Sequence, residues 1–147
     1  MPVIAVVNGP NLNLLGSRER GLYGEATWEE VRKGLEESAG ALGLELDFFQ
    51  SNHEGSIIDY LQGSAGRIQG LIINPGALTH YSYALRDALA VLQVPVVEVH
   101  ITNIHAREEW RSRSLISPVA RGVIAGMGTY GYQLALSAVA SWLETGD

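Results

Sequence analysis

Short apolar runs alternate along the chain with longer stretches in which apolar residues recur every three or four positions. The two periods predict strands and helices in turn. Val3 to Val7 is a continuous, β-branched-rich run stopped by Asn8-Gly9-Pro10, the pattern of a strand buried on both faces. After a long polar loop punctuated by glycines, Thr27-Trp28-Glu29-Glu30 fits a capping box. It opens a helix carrying Trp28, Val31, Leu35 and Leu42 on one stripe and closed by Gly43. A second strand is expected from Leu44 to Phe49, and Ser56 opens a second helix that buries Ile57, Ile58 and Leu61. Gly70 starts a third strand, Leu71 to Ile73, closed by Asn74-Pro75-Gly76. Thr79 precedes a third helix with Ala84, Leu85, Ala88 and Leu89 as its apolar set. Beyond Val94-Pro95, a fourth strand from Val96 to Val99 leads into a polar segment with a short helix over Ala106 to Arg111. A weaker fifth strand, Gly122 to Ala125, and a last helix, Tyr130 to Leu143, complete the pattern.

Strands alternating with helices at this spacing predict βαβ units, because parallel strands need a crossover and a helix supplies it. The fold class is therefore α/β, a flavodoxin-like three-layer sandwich with a five-stranded parallel sheet. No repeat, low-complexity tract or linker interrupts the chain, so residues 1–147 are read as one domain.

With 46% hydrophobic and 18% charged residues among 147, the chain can bury a core, and intrinsic disorder is excluded. It contains no cysteine, which removes disulfides, thiolate metal sites and a cysteine nucleophile, and leaves chemistry to oxygen and nitrogen side chains. The net charge of -6 opposes non-specific binding to nucleic acid. The amino terminus lacks the basic region of a signal peptide, and no apolar run approaches the ~18 residues of a membrane span. A cytoplasmic protein with neither nucleic-acid nor membrane partners is expected.

Ligands of open parallel sheets sit outside the carboxyl ends of the strands, and the amide and imidazole residues gather there. Asn8, Asn11 and Asn13 follow the first strand, Asn52 and His53 the second, Asn74 and His80 the third, and His100, Thr102 and Asn103 the fourth. The opposite ends have no comparable set. Asparagine also builds turns for purely structural reasons. Glu98 and His100 stand two apart on a strand, so both side chains emerge on one face, where a carboxylate can orient or charge an imidazole. That pair suits a general acid, although a strand-end histidine with only local hydrogen bonds gives the same pattern. Between Leu15 and Gly24, glycines flank Arg18 and Tyr23 as in a closing lid, or simply as in a solvated surface loop. A guanidinium beside a phenol favours tyrosinate, and lowering a phenol from ~10 to near 7 takes ~4 kcal/mol. Arg107 and Arg111 stand at i and i+4, on one face of the expected short helix. His53, His80, His100 and His105 show no His-x-x-x-His spacing, and no bound metal is expected.

Four blocks together carry a resemblance that covers nearly the whole chain. They are Asn8 to Gly16 (NGPNLNLLG) with Arg18 and Tyr23-Gly24, Gln50 to Gly55 (QSNHEG), Ile73 to Ser82 (INPGALTHYS), and Glu98 to Arg111 (EVHITNIHAREEWR). In these blocks, taken in this order, the sequence resembles the type II 3-dehydroquinate dehydratases of the shikimate pathway, which leads to chorismate and the aromatic amino acids. The resemblance implies a flavodoxin-like fold and a syn elimination of water from 3-dehydroquinate to 3-dehydroshikimate through an enolate, with no metal or organic cofactor. It implies that Tyr23 is the base, as tyrosinate favoured by Arg18, and that His100, held by Glu98, protonates the departing hydroxyl. Asn11 is implied to position a water against the enolate oxygen. The amides of Ile101 and Thr102, with the threonine hydroxyl, match the family's carboxylate-binding turn, and Asn74, His80 and Arg111 match its contacts to the ring hydroxyls. Asp87 corresponds to a residue reaching the site from a neighbouring subunit, which implies a homo-oligomer of trimers, commonly four in a dodecamer.

Two positions depart from the family pattern. Arg20 stands where proline is usual, removing a fixed backbone angle from the lid and adding a cation, and Thr102 stands where serine is also common. The alternatives from other classes are weaker. A flavodoxin-like nucleotide-binding module lacks its phosphate loop, since Asn8 to Gly24 is too long and no G-x-G-x-x-G occurs. A phosphoryl receiver lacks its carboxylates, since Asn8 and Asn74 occupy those places. A non-catalytic oligomeric module is disfavoured by the joint presence of Arg18, Tyr23, Asn11 and His100.

Overall fold

The computed structural model describes residues 1–15 and 26–146. Strands β1 (Val3–Asn8), β2 (Glu45–Gln50), β3 (Gly70–Asn74), β4 (Val96–His100) and β5 (Gly122–Ala125) form one parallel sheet in the order β2-β1-β3-β4-β5. This is the flavodoxin-like doubly wound order, as expected. Helices α1 (Trp28–Ala41), α2 (Glu54–Ser64), α3 (Tyr83–Ala90) and α4 (Tyr130–Thr145) cover it.

Alternation along the strands divides the apolar side chains between two cores. Ile4, Val6, Ile72, Val97 and Val99 pack with Leu35 and Ala39 of α1 and with Ala135, Leu136 and Val139 of α4. Ala5, Val7, Leu71, Ile73 and Val96 face the other way, onto Ile57 and Leu61 of α2 and Leu85 and Leu89 of α3. Val96, Glu98 and His100 share the second face, so the continuous apolar pattern of a doubly covered strand is broken by two polar residues at its carboxyl end.

The strands that feed the site run slightly further than the apolar pattern suggests. β1 includes Asn8, which pairs with Gln50 of β2 and Asn74 of β3, and β4 includes His100, which pairs with Ala125 of β5. The polar side chains after the apolar runs are thereby fixed by ladder hydrogen bonds rather than left in loops. Helix α1 starts as its sequence indicates: Thr27 Oγ1 accepts from the Glu30 amide at 3.3 Å and donates to Glu30 Oε1 at 3.2 Å. Leu42, expected on its buried stripe, lies beyond the last helical residue and is exposed; Ala39 is buried there instead.

Three further expectations are corrected. Helix α2 begins at Glu54, before Ser56, with His53 as the N-cap residue, and Ile58 is only half-buried. Helix α3 does not follow Thr79. A 3-10 turn over Gly76–His80 intervenes, and Ser82 caps the helix by accepting from the Leu85 amide at 3.0 Å. Ala84 therefore faces solvent, while Leu85 and Leu89 are buried. The short helix over residues 106–111 is replaced by two 3-10 turns, Ile104–Ala106 and Glu109–Arg111, with Arg107 extended at φ -101 and ψ -163 near their junction. Arg107 and Arg111 thus do not share a helical face. Gly9 is required by close approach, because a Cβ there would stand 2.4 Å from the Pro75 carbonyl oxygen.

Candidate active site

The strand order reverses between β1 and β3, and loops leaving the carboxyl ends there diverge and open a crevice. A cavity of about 220 Å³ lies in it. Its walls are Asn11, Leu12, Leu14 and Leu15 after β1, Asn74, Gly76, Ala77 and His80 at the end of β3, and His100, Ile101, Thr102, Ile104, Arg107 and Arg111 after β4.

Glu98 is fully buried behind His100. Its Oε2 accepts from His100 Nε2 at 2.5 Å, Thr79 Oγ1 at 2.6 Å and Ser114 Oγ at 2.7 Å, while Oε1 accepts from Ser117 Oγ at 2.5 Å. Every partner has a hydrogen to give, so the arrangement is complete only when Glu98 is an acceptor, that is, ionised. Burial alone would raise its pKa. The hydrogen bond and charge of His100, with the hydroxyls of Ser117 and Thr79, outweigh burial and hold it at about 2. The carboxylate thereby fixes the imidazole ring with Nε2–H toward Glu98, leaving Nδ1 for a ligand. An imidazole oriented in this way, when protonated, delivers a proton from Nδ1 along one direction.

A second buried network underlies the β1 and β3 side of the cavity. The Tyr132 hydroxyl of α4 donates to Asn8 Oδ1 at 2.7 Å and accepts from Asn74 Nδ2 at 3.0 Å. Asn74 Oδ1 in turn accepts from the Gly76 amide at 3.1 Å. Both ends of the Asn74 amide are therefore assigned, and its remaining Nδ2 hydrogen is a donor for a ligand. Burial of Tyr132 pushes its pKa up against the opposing hydrogen bonds of Asn74 and Asn8, so it stays a neutral phenol. Asn11 occupies the left-handed region at φ 70, which asparagine tolerates. Its amide donates to Asn52 Oδ1 at 2.9 Å, and Gln50 Nε2 also reaches Asn52 Oδ1 and the Gly9 carbonyl, each at 3.2 Å. The loop after β1 is thus pinned by the loop after β2.

On the opposite wall, His80 Nδ1 lies 2.7 Å from the Arg113 carbonyl, which can only accept, so Nδ1 carries the hydrogen and Nε2 remains for a ligand. Burial lowers the His80 pKa, the Arg113 carbonyl works against this, and the nearby His100 and Arg111 push it down further. Trp110 meets the His80 ring edge-on at 5.6 Å and lies under the Arg111 guanidinium at 4.4 Å, while Arg111 also pairs with Glu108 at 3.2 Å.

Seven of the residues anticipated from sequence (Asn11, Asn74, His80, His100, Ile101, Thr102 and Arg111) therefore line one cavity, with Glu98 directly behind His100. Asp87 lies elsewhere, exposed on α3 and paired with Arg86 at 3.2 Å. Arg18, Arg20 and Tyr23 lie outside the described residues. Thr79, Ser114, Ser117 and Tyr132 contribute to the site without having been singled out for it. Thr79 had looked like a helix start, the serines belong to an ordinary polar stretch, and Tyr132 falls on an apolar stripe, so no local sequence signal separates them from structural residues. Among the described residues, no three His, Asp or Glu side chains gather in a way that would hold a metal ion. The cavity offers guanidinium, imidazole, amide and hydroxyl donors beside apolar walls from Leu14, Leu15 and Ile104. That lining fits a small, oxygen-rich anion.

The model of the family Dehydroquinase class II matches residues 2–140. The chain is 54% identical over 144 residues to the 3-dehydroquinate dehydratase of Halothermothrix orenii, covering 98% of this chain and 97% of that protein. It superposes on the crystal structure of the type II dehydroquinase from Butyrivibrio crossotus with a TM-score of 0.91 at 45% identity, covering 94% of this chain and 97% of the other. The type II dehydroquinase from Propionibacterium acnes gives a TM-score of 0.92 at 42% identity, covering 96% and 97%.

Proposed function

Since the chain belongs to the class II dehydroquinase family and is a hydro-lyase acting on 3-dehydroquinate in the shikimate pathway, we propose that the cavity at the β1/β3 crevice is where the water is lost. The observation that carries this reading is the Glu98–His100 pair at 2.5 Å, an imidazole held in one orientation at the wall of a donor-rich cavity.

In this reading the substrate carboxylate sits against the amides of Ile101 and Thr102, with the threonine hydroxyl, and Asn74, His80 and Arg111 take the ring hydroxyls. The remaining Asn74 hydrogen and the guanidinium donate, and His80 Nε2 accepts, because its other nitrogen is committed to the Arg113 carbonyl. Tyr23, as tyrosinate favoured by Arg18, takes the proton next to the ketone. The electron pair moves onto the ketone oxygen as an enolate, which a water held by Asn11 stabilises. The enolate then expels the hydroxyl on the same face, and His100 Nδ1–H protonates it, so that water leaves. The proton taken by Tyr23 and the one given by His100 balance, and neither oxidant nor metal enters. Catalysis here is the placing of donors where charge develops.

Asp87 fits the same reading only as a residue offered to a neighbouring copy. It is exposed on α3 together with Tyr83 and Ala84, a face with apolar groups around a carboxylate, and it stands outside the cavity of its own chain. A trimer, assembled further into a dodecamer, would complete each site. In this reading residues 1–147 act as one catalytic domain in the cytoplasm. Separately, no described helix is long and apolar enough to cross a membrane.

The test is Tyr23→Phe, which removes the base and little else. Turnover of 3-dehydroquinate should fall by at least ~10³-fold while calorimetry still detects ligand binding. Near-parental turnover in that variant refutes the assignment.

A further inference from the structure

Beyond the residues that touch substrate, we infer that Ser114 is a positioning residue whose single hydroxyl holds the substrate-binding wall and the proton donor in one frame. The inference rests on the reaction assigned above. Ser114 lies three residues after Arg111, on the segment that returns from the arginine toward β5. Its Oγ donates to Glu98 Oε2 at 2.7 Å and accepts the amides of Ile116 and Ser117, both at 3.0 Å. Thr79 Oγ1 donates to the same Oε2 at 2.6 Å, so no hydrogen remains for the 2.9 Å approach between Thr79 Oγ1 and Ser114 Oγ. The two hydroxyls are drawn together by one shared acceptor.

On either side of this point the segment is bound to the wall that carries His80. The Arg113 carbonyl takes His80 Nδ1–H at 2.7 Å, and the Leu115 amide donates to the Thr79 carbonyl at 2.7 Å. Ser114 is the residue between these two ties, and it alone of the three reaches the carboxylate that orients His100. Loss of its hydroxyl would leave the segment joined to Glu98 only through Ser117, at the other carboxylate oxygen, and would loosen the setting of Arg111 and His80 against the His100 ring. Ser117 provides the contrast. Its hydroxyl also donates to Glu98, at Oε1, but it stands three residues further on, outside the pair of ties from Arg113 and Leu115 to the His80 wall.

The test compares steady-state kinetics of the full chain with those of Ser114→Ala, Ser114→Thr and Ser117→Ala, each first shown by thermal unfolding to be folded. Ser114→Ala should lower kcat about ten-fold and raise KM about five-fold, because acid and binding wall shift together. Ser117→Ala should lower kcat a few-fold with KM within about two-fold of the parent. Ser114→Thr keeps the hydroxyl and should restore both constants to within about three-fold. Ser114→Cys, a weaker donor of similar shape, carries the same expectation as alanine should that variant not fold. A Ser114→Ala enzyme altered in kcat alone or in neither constant, or a folded threonine variant that restores nothing, overturns the inference. A crystal structure of Ser114→Ala gives a readout independent of turnover. The Arg113 carbonyl should leave hydrogen-bond reach of His80, and an unchanged 2.7 Å contact there contradicts the tie. A parent chain inert toward 3-dehydroquinate would instead refute the reaction, leaving the crystallographic arm to test the tie alone.

Discussion

Glu98 would be an expensive residue in an apolar interior, and four hydrogen-bond donors make it stable there only as an anion. The consequence is a pH dependence of stability with a definite sign. Its pKa is depressed from about 4.5 to about 2 on folding. The contribution is therefore fully present above the unfolded value and is lost as pH falls through the folded one. A depression of this size is worth ~3 kcal/mol at neutral pH. Glu98→Gln, which cannot be deprotonated, should lose most of the parent's steepening of urea stability between pH 5 and about 2; an unchanged pH slope would show that Glu98 is not ionised in the folded chain. At this scale the sequence was informative only where chemistry follows from spacing. Residues two apart on a strand must share a face, so the Glu98–His100 pair was legible. Thr79, Ser114 and Ser117 come from separate turns that meet only after folding, and a lone hydroxyl leaves no pattern along the chain.

At the scale of elements, periodicity located the strands and helices well because both sheet faces are covered and each helix presents one stripe to them. It failed where side-chain hydrogen bonds, rather than apolar burial, decide the ends. Ser82 takes the N-cap of α3 from Thr79, whose hydroxyl is committed to Glu98, and the intervening 3-10 turn is what delivers Thr79 and His80 to the site. The extended backbone at Arg107 likewise breaks the short helix expected over residues 106–111, on one face of which Arg107 and Arg111 had been placed. Where two elements approach most closely, glycine is decisive. The Gly9 amide donates to the Asn74 carbonyl at 2.8 Å, and no Cβ fits beside Pro75. Gly9→Ala should cost about 1–3 kcal/mol, read as a lowered midpoint of chemical unfolding. A midpoint equal to the parent's would mean that the loops after β1 and β3 can separate without cost.

For the molecule as a whole, the strand order β2-β1-β3-β4-β5 places the crevice at β1/β3, and the residues around it come from segments spread along most of the chain. Described residues of three blocks well separated along the chain, those after β1, β3 and β4, wall one cavity, and the Gln50 to Gly55 block pins the loop after β1. That convergence was legible from the rule that ligands sit at carboxyl ends, whereas Asp87 lies outside the cavity, exposed on α3 and paired with Arg86, and its proposed role toward a neighbouring copy comes from the resemblance alone. Arg18 and Tyr23, expected from sequence to belong to a lid, lie outside the described residues. The most direct measurement is the growth of ultraviolet absorbance from the conjugated enone after 3-dehydroquinate is added to chelator-treated protein, run beside His100→Ala. An acid oriented by Glu98 requires full activity in the first and a rate about 10²–10⁴-fold lower in the second. No absorbance change with the parent chain, or equal rates for the two proteins, would contradict it.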